Sequence, residues 1–329
     1  MEKIPVAIIG LGRIASLLED DPLREKPCTH AGAVNTNPDC ILAAGFDIDA
    51  ERRDLFASRW KCPVYDDAGK MIEEQNPQIL HIATHPDSHY RYCALAEAYN
   101  IPVVVCEKPL ADALGGARKI AAIHTRGTTK IITNHERRYS GDYLRAKEII
   151  NSGELGDMLS ISGTLFVGKT RRLLDVLWHD GTHLADVIMY LGNGIVKHRK
   201  TWGQSLYERS GTAYLLGDLH RKDKKVPFLI ELGAGRDHLV FEIEISFAEG
   251  RVRIGNGIFE IWKSRESPYA EGFRSLEKTI SVFEGPTSYF SNMEKDAVAC
   301  VRNPSLVPVS SALDGLHVIT YLHHVKSWK

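Results

Sequence analysis

A short apolar strand that runs straight into two glycines sets the first limit on how this chain can fold. Ile4 to Ile9 leads into Gly10-Leu11-Gly12-Arg13-Ile14-Ala15, a G-x-G-x-x-A turn. Glycines there permit a tight turn and close approach of backbone to a pyrophosphate, while the amides of the helix that follows face anionic oxygens. Alone, the pattern is also that of an ordinary glycine-rich turn. Its position at the first strand-to-helix junction of a βαβ series selects the dinucleotide reading, with Gly10, Gly12, Arg13, Ile14 and Ala15 as the cradle.

The series itself fills the first 135 residues. Short β-branched runs at 4–9, 40–46, 79–83, 102–106 and 130–134 alternate with amphipathic segments at about 50–60, 67–75, 87–99 and 112–126. Val103-Val104-Val105-Cys106 is apolar throughout, as a parallel strand covered on both faces requires. A linking helix is predicted over 140–152. The pattern then changes to alternating strands at about 157–168, 195–205, 211–220, 226–234, 238–247 and 251–263, closed by helices at 289–302 and 310–326. The fold class is therefore α/β: a doubly wound Rossmann domain over 1–130, then an α+β domain over 131–329 with a largely antiparallel open sheet. A chain of 329 residues with 43% hydrophobic side chains has material for two such cores.

The second strand ends at Asp47, placed to accept hydrogen bonds from the adenosine ribose hydroxyls and to repel a 2′-phosphate, so the expected cofactor is NAD, with NADP possible. Arg52 and Arg53 follow closely and read either as phosphate partners or as solvated helix residues. Thirty-two residues separate Ala15 from Asp47, against roughly 20 for the usual motif. The polar block Glu19 to Pro27 accounts for the surplus. We expect it to be a loop inserted between the first turn of the helix and a continuation at about 30–37, covering the cofactor cleft or a subunit contact. Thr84-His85-Pro86 with His89, and Glu107-Lys108-Pro109, lie after the strands at 79–83 and 102–106, where open α/β sheets bind ligands.

With these residues in view the chain resembles the Gfo/Idh/MocA family. The likeness rests on the glycine turn, Asp47, Thr84-His85-Pro86, His89, Glu107-Lys108-Pro109, Arg138-Tyr139, Gly153-Glu154-Leu155-Gly156 and His183 with Asp186, in that order over nearly the whole length. The resemblance implies NAD(P) chemistry on carbohydrates, inositols and related alcohols or ketones. It also implies a homodimer or homotetramer built through the C-terminal sheet. Lys108 would lie near the nicotinamide and the substrate hydroxyl, and the bond before Pro109 would be cis.

A dehydrogenase needs a titratable group within reach of the oxygen whose proton leaves as hydride leaves the same carbon. His183, in Trp178-His179-Asp180-Gly181-Thr182-His183, matches the acid/base histidine that the resemblance implies, and imidazole titrates near neutrality. The family's usual D-x-G-x-H would place an aspartate where this chain has His179. On a helix beginning near 180, residues 179, 183 and 186 would share a face and Asp180 would turn away, free to cap the helix. His179 then reads as a second proton carrier or a donor to substrate, and Lys108 as the group that polarises the substrate oxygen. Arg138, Tyr139, Lys169, Arg171, Arg172 and Asp180 are candidates for substrate contact.

Charge and cysteine content narrow the alternatives. Forty-one basic residues balance 42 acidic ones without long runs, which points away from nucleic acid and from acidic membrane surfaces. The six cysteines form no C-x-x-C pair, and His179 and His183 lack a third ligand, so no metal is expected. Absence of a signal-like start or a ~20-residue apolar span implies a cytoplasmic protein. The leading reading is an NAD(P)-dependent oxidoreductase acting on a polyol or sugar. An NAD-dependent glycoside hydrolase and a dinucleotide-sensing regulator are the alternatives.

Overall fold

The five strands expected in the first half, joined by a short one at 64–65 that was not expected, form one parallel sheet, in the order β3-β2-β1-β4-β5-β6. They are β1 (Ile4–Ile9), β2 (Cys40–Phe46), β3 (Val64–Tyr65), β4 (Ile79–Ile82), β5 (Val103–Cys106) and β6 (Lys130–Thr133). This is the Rossmann order, with its switch point between β1 and β4. In the computed structural model, which describes residues 2–168, 170–222 and 224–327, β4 and β5 are buried along their full length. Between the strands run α1 (His30–Thr36), α2 (Ala50–Trp60), α3 (Ala68–Gln75), α4 (His89–Ala98) and α5 (Leu114–Arg126). The caps are written locally: Thr29 accepts from Gly32 N, Asp49 from Glu51 N and Arg52 N, and Asp67 from Lys70 N.

The glycine turn does not open an uninterrupted helix. Residues 13–16 make a single turn, a 3-10 segment follows at Leu17–Asp20, and the insert then intervenes. The helix resumes where it stopped. His30 N bonds to Ile14 O and Ala31 N to Ala15 O, carbonyls that an unbroken helix would pair with residues 18 and 19. The loop is thus spliced into the hydrogen-bond ladder as a twelve-residue interruption, which matches the surplus length before Asp47.

The remaining elements begin with α6 (Gly141–Ser152), β7 (Met158–Val167), α7 (Leu173–His179) and α8 (Gly181–Gly192). Seven strands follow: β8 (Ile195–Gly203), β9 (Gly211–Arg221), β10 (Lys224–Ala234), β11 (Val240–Phe247), β12 (Gly250–Gly255), β13 (Ile258–Glu266) and β14 (Arg274–Ile280). They pair as β14-β13-β12-β11-β7-β10-β9-β8, antiparallel throughout except for β7 with β10. Side chains alternate between buried and half-buried along β11, as expected of a sheet with one covered face. Helix α8 lies close against β7: a Cβ on Gly163 would stand 3.0 Å from Leu184 Cδ1.

Two expectations are corrected here, and one strand was missed. The strand read at 251–263 is two strands joined at Asn256-Gly257, where Gly257 has φ +74°. Strand β14, mostly polar and exposed, carries no alternation that would have revealed it. The helix expected to begin near 180 is α8, starting at Gly181, but His179 is not on its face, since it ends a separate helix, α7, that Asp180 terminates.

Two helices close the chain, α9 (Tyr289–Arg302) and α10 (Ala312–Ser327). The residues fall into two units, one running up to Ser140 together with Pro286–Ile319, the other comprising Gly141–Gly285 and the residues from Thr320. This differs from the division at 130/131. The physical reason is α9, whose Phe290, Met293, Ala297 and Val298 are buried in one cluster with Ile4, Val6, Val103, Val105 and Ile132 of the parallel sheet.

Candidate active site

In the first unit the cradle is built by backbone. Gly10 has φ +87°, and a Cβ there would meet Thr84 Cγ2 at 2.8 Å and the Ala83 carbonyl at 2.9 Å, so no other residue fits between the two loops. Gly12 is open apart from Arg52 Nη1, 3.9 Å from where its Cβ would be. Arg13 is exposed, Ile14 half-buried and Ala15 buried. Asp47 is 4% exposed, its Oδ2 accepting from Leu11 N at 2.8 Å and its Oδ1 from Asp49 N at 2.9 Å. A carboxylate has about four lone-pair sites, so two remain for ribose hydroxyls. The residues therefore fit an adenosine ribose and a pyrophosphate.

The two arginines after Asp47 separate clearly. Arg52 Nη1 stands 3.7 Å from Asp47 Oδ2. Arg53 instead folds onto backbone, donating to Asp47 O at 2.8 Å and Ile48 O at 3.2 Å.

The loop after β4 is tied internally, with Thr84 Oγ1 2.7 Å from Ser88 Oγ and Ser88 Oγ donating to His85 O. His85 is exposed and Pro86 half-buried. His89 is buried, its ring nitrogens facing Leu110 O at 3.2 Å and Thr84 O at 3.0 Å, so it braces this loop against the one that follows β5. Burial holds its pKa below the ordinary histidine value.

Glu107 is the most heavily engaged group of the cradle. Its Oε1 lies 2.9 Å from His30 Nε2 and accepts from Asn134 Nδ2 at 2.6 Å, while Oε2 accepts from Lys108 N at 3.2 Å. Burial pushes its carboxyl up, but the His30 contact, Lys108 and Asn134 outweigh that and leave it below the usual range. The Lys108–Pro109 peptide is cis, as the resemblance implied. His30, His81, Asn134 and Glu294 were not read from the sequence as site residues. His81 inside the apolar run Ile79-Leu80-His81-Ile82 was the one available signal, a polar group where a buried strand tolerates none without a partner.

Arg138 and Tyr139 are buried in the same unit and turned inward. Arg138 Nη1 lies 3.1 Å from Val309 O and 3.0 Å from Asp314 Oδ1, and Tyr139 donates to Asp296 Oδ2 at 2.8 Å. In the second unit His183 occupies the first turn of α8 at 9% exposure, with Asp186 fully buried one turn on. His179 closes α7, so the two histidines stand on different helices. Asp180 does not cap α8 with its side chain. Its Oδ1 instead meets His179 Nδ1 at 2.8 Å and its Oδ2 meets Arg171 Nη1 at 3.4 Å. Arg172 pairs with Asp175, and Lys169 lies outside the described residues. No cluster of three potential metal ligands occurs among the described residues, and no described helix is long and apolar enough to cross a membrane.

Comparison with known proteins adds to this geometry. Residues 4–135 match a family model described as an oxidoreductase family with an NAD-binding Rossmann fold. An inositol 2-dehydrogenase of Rubrobacter xylanophilus is 28% identical over 157 residues, 47% of this chain and 42% of that protein. One from Salmonella paratyphi B is 29% identical over 203 residues, 60% of this chain and 57% of that protein. The chain thus spans about half the length of these relatives. The crystal structure of an oxidoreductase domain protein from Kribbella flavida superposes with a TM-score of 0.80 at 16% identity, covering 99% of this chain and 97% of that one.

Proposed function

We propose that this protein, whose residues 4–135 match the model of an oxidoreductase family with an NAD-binding Rossmann fold, is an NAD-dependent dehydrogenase acting on a CH–OH group of an inositol, another polyol or a sugar. One observation carries the reading: the Gly10–Gly12 turn, Asp47 and the Glu107-Lys108-Pro109 turn all sit at carboxyl ends of strands in one parallel sheet, β1, β2 and β5. The partial likeness to inositol 2-dehydrogenases supports the substrate class.

When bound, the nicotinamide supplies the hydride acceptor. Gly12 leaves room for the pyrophosphate, and the free lone pairs of Asp47 receive ribose hydroxyls. Lys108 is assigned to the substrate oxygen, where its ammonium stabilises developing alkoxide charge. His183 is assigned to remove the hydroxyl proton, with His179, hydrogen-bonded to Asp180, as a second proton carrier. Arg171 and Asp180 are assigned to substrate hydroxyls. The six free cysteines accord with a reducing, cytoplasmic setting. Trp202 and Leu216, 63% and 38% exposed on β8 and β9, support association of copies through the second sheet, which the mass in solution decides.

The test follows reduced-nicotinamide absorbance against a panel of inositols, aldoses and sugar acids. Turnover with at least one member is expected, and Lys108→Ala and His183→Ala should each lower kcat by about a hundredfold or more while leaving NAD affinity largely intact. Wild-type turnover in His183→Ala would overturn its assignment as the base. NAD binding with no turnover across the panel would count against the dehydrogenase reading itself.

A further inference from the structure

The core of the first unit contains a chain of four ionisable side chains that binding of a dinucleotide does not by itself require. Glu107 Oε1 stands 2.9 Å from His30 Nε2, His30 Nδ1 stands 2.8 Å from His81 Nδ1, and His81 Nε2 stands 3.1 Å from Glu294 Oε2. The two histidines and Glu294 are fully buried, and Glu107 is 7% exposed. They come from four separate segments: α1, β4, the turn after β5, and α9. Phe290 closes one side, its ring centroid 5.2 Å from that of His30.

Proton counting constrains this chain tightly. Two imidazole nitrogens 2.8 Å apart repel unless one, and only one, carries hydrogen. Glu107 accepts from Asn134 and Lys108 as well as facing His30, an arrangement that suits an ionised, acceptor-only carboxylate. His30 therefore presents Nε2–H to Glu107. The Glu107–His30 and His30–His81 contacts then hold two protons among one carboxylate and two imidazoles, which leaves one net negative charge, while His81 Nε2 and Glu294 Oε2 stand close but outside hydrogen-bond geometry. That count is the same whether the proton between the rings rests on His30 or on His81. Charged and titratable neighbours include Lys108, Cys106, Glu136 and His89 around Glu107, and Cys40, whose thiol donates to Glu294 Oε1 at 3.3 Å.

We propose that the Glu107–His30–His81 chain, with Glu294 beside it, keeps Glu107 ionised through one proton shared between the two rings, and that its negative charge makes the protein favour the oxidised, cationic nicotinamide over the reduced, neutral one. His30 and His81 are then positioning residues, acting through Glu107. This rests on the dehydrogenase reading, in which the Glu107-Lys108-Pro109 turn faces the nicotinamide.

The experiment uses the full chain and measures dissociation constants of NAD+ and NADH by calorimetry between pH 6 and 9. In the wild type their ratio should be flat with pH. His30→Asn loses the reach to Glu107, so Glu107 gains protons as pH falls and the preference for NAD+ should drop there by about tenfold, the order of one partly buried charge. His30→Gln restores the reach and should return the ratio to within about threefold of wild type. An unchanged ratio in His30→Asn overturns the proposal. A variant that binds neither nucleotide has lost its fold, and the wild type alone then decides by nitrogen-15 NMR of its imidazoles. One protonated Nδ1 between His30 and His81, unchanged from pH 6 to 9, is required, and titration of that pair within the range overturns the proposal. Failure of the wild type to bind either nucleotide would overturn the dehydrogenase reading, while the NMR result would still stand for the proton count.

Discussion

Arg52 and Arg53 show how adjacent, chemically identical residues acquire different work. In the sequence both read either as phosphate partners or, more commonly, as solvated positions on α2. The structure separates them, because Arg53 spends its guanidinium on the carbonyls of Asp47 and Ile48, whereas Arg52 stands beside Asp47 and above Gly12. Asp47 disfavours a 2′-phosphate, and Arg52 is placed to offset that repulsion in part. Arg52→Ala should therefore raise the ratio of NADP to NAD dissociation constants by about fivefold, the upper range for a half-exposed ion pair, and Arg53→Ala should leave it unchanged. Equal losses for both cofactors in Arg52→Ala would place its contact on a part common to the two. At this scale the sequence was legible wherever a backbone requirement dictates the residue, as at Gly10, and illegible wherever partners lie far apart. Nothing local to His30 or Glu294 announces a neighbour across 51 residues to His81 in one case and 213 in the other.

At the scale of elements the insert is the instructive case. Its length and its position within the first helix were readable, because a ladder that stops at Ala15 and resumes at His30 leaves a polar, proline-bearing block between. Its attachment was not readable. Glu25 accepts from Thr287 N, Thr287 Oγ1 and Ser288 N, all at 2.8 Å, and so places a carboxylate at the N-terminal end of α9. Burial raises the Glu25 carboxyl, but these donors outweigh it and hold the group below the ordinary value of 4.5. A depressed folded-state value means that the stabilisation is present above the unfolded value and is lost as pH falls through the folded one. Glu25→Gln should cost about 1 kcal/mol at pH 7, comparable with loss of a helix cap. The difference in Tm from wild type should close as pH falls well below 4.5. A difference that persists in acid would mean that shape, not charge, fastens the insert.

For the whole molecule the lesson concerns where a domain ends. Strand and helix periodicity located nearly every element of the parallel sheet, since each βαβ step depends on neighbours in sequence. An amphipathic helix, however, declares only that it has an apolar face, not which sheet receives it. Helix α9 follows the last strand of the second sheet, yet its apolar face fills the core of the first, and the division at 130/131 could not include it. Further ties bind the same regions: Tyr139 to Asp296, Arg138 to Asp314, and Lys130 Nζ to Asn303 O at 3.0 Å. Phe290→Ala alone should cost about 3–5 kcal/mol, a large share of the 5–15 kcal/mol that typically holds a domain together. A fragment of residues 1–140 loses Phe290 and every other α9 side chain at once. It should show no cooperative urea transition by circular dichroism, and it should bind no NAD despite containing the entire glycine turn, Asp47 and Lys108. A sharp transition in that fragment would show that the parallel sheet closes its own core. Without α9 the fragment also lacks Glu294, so even a folded fragment would lack the buried partner of His81, and the ionisation of Glu107 would then depend on the remaining contacts alone.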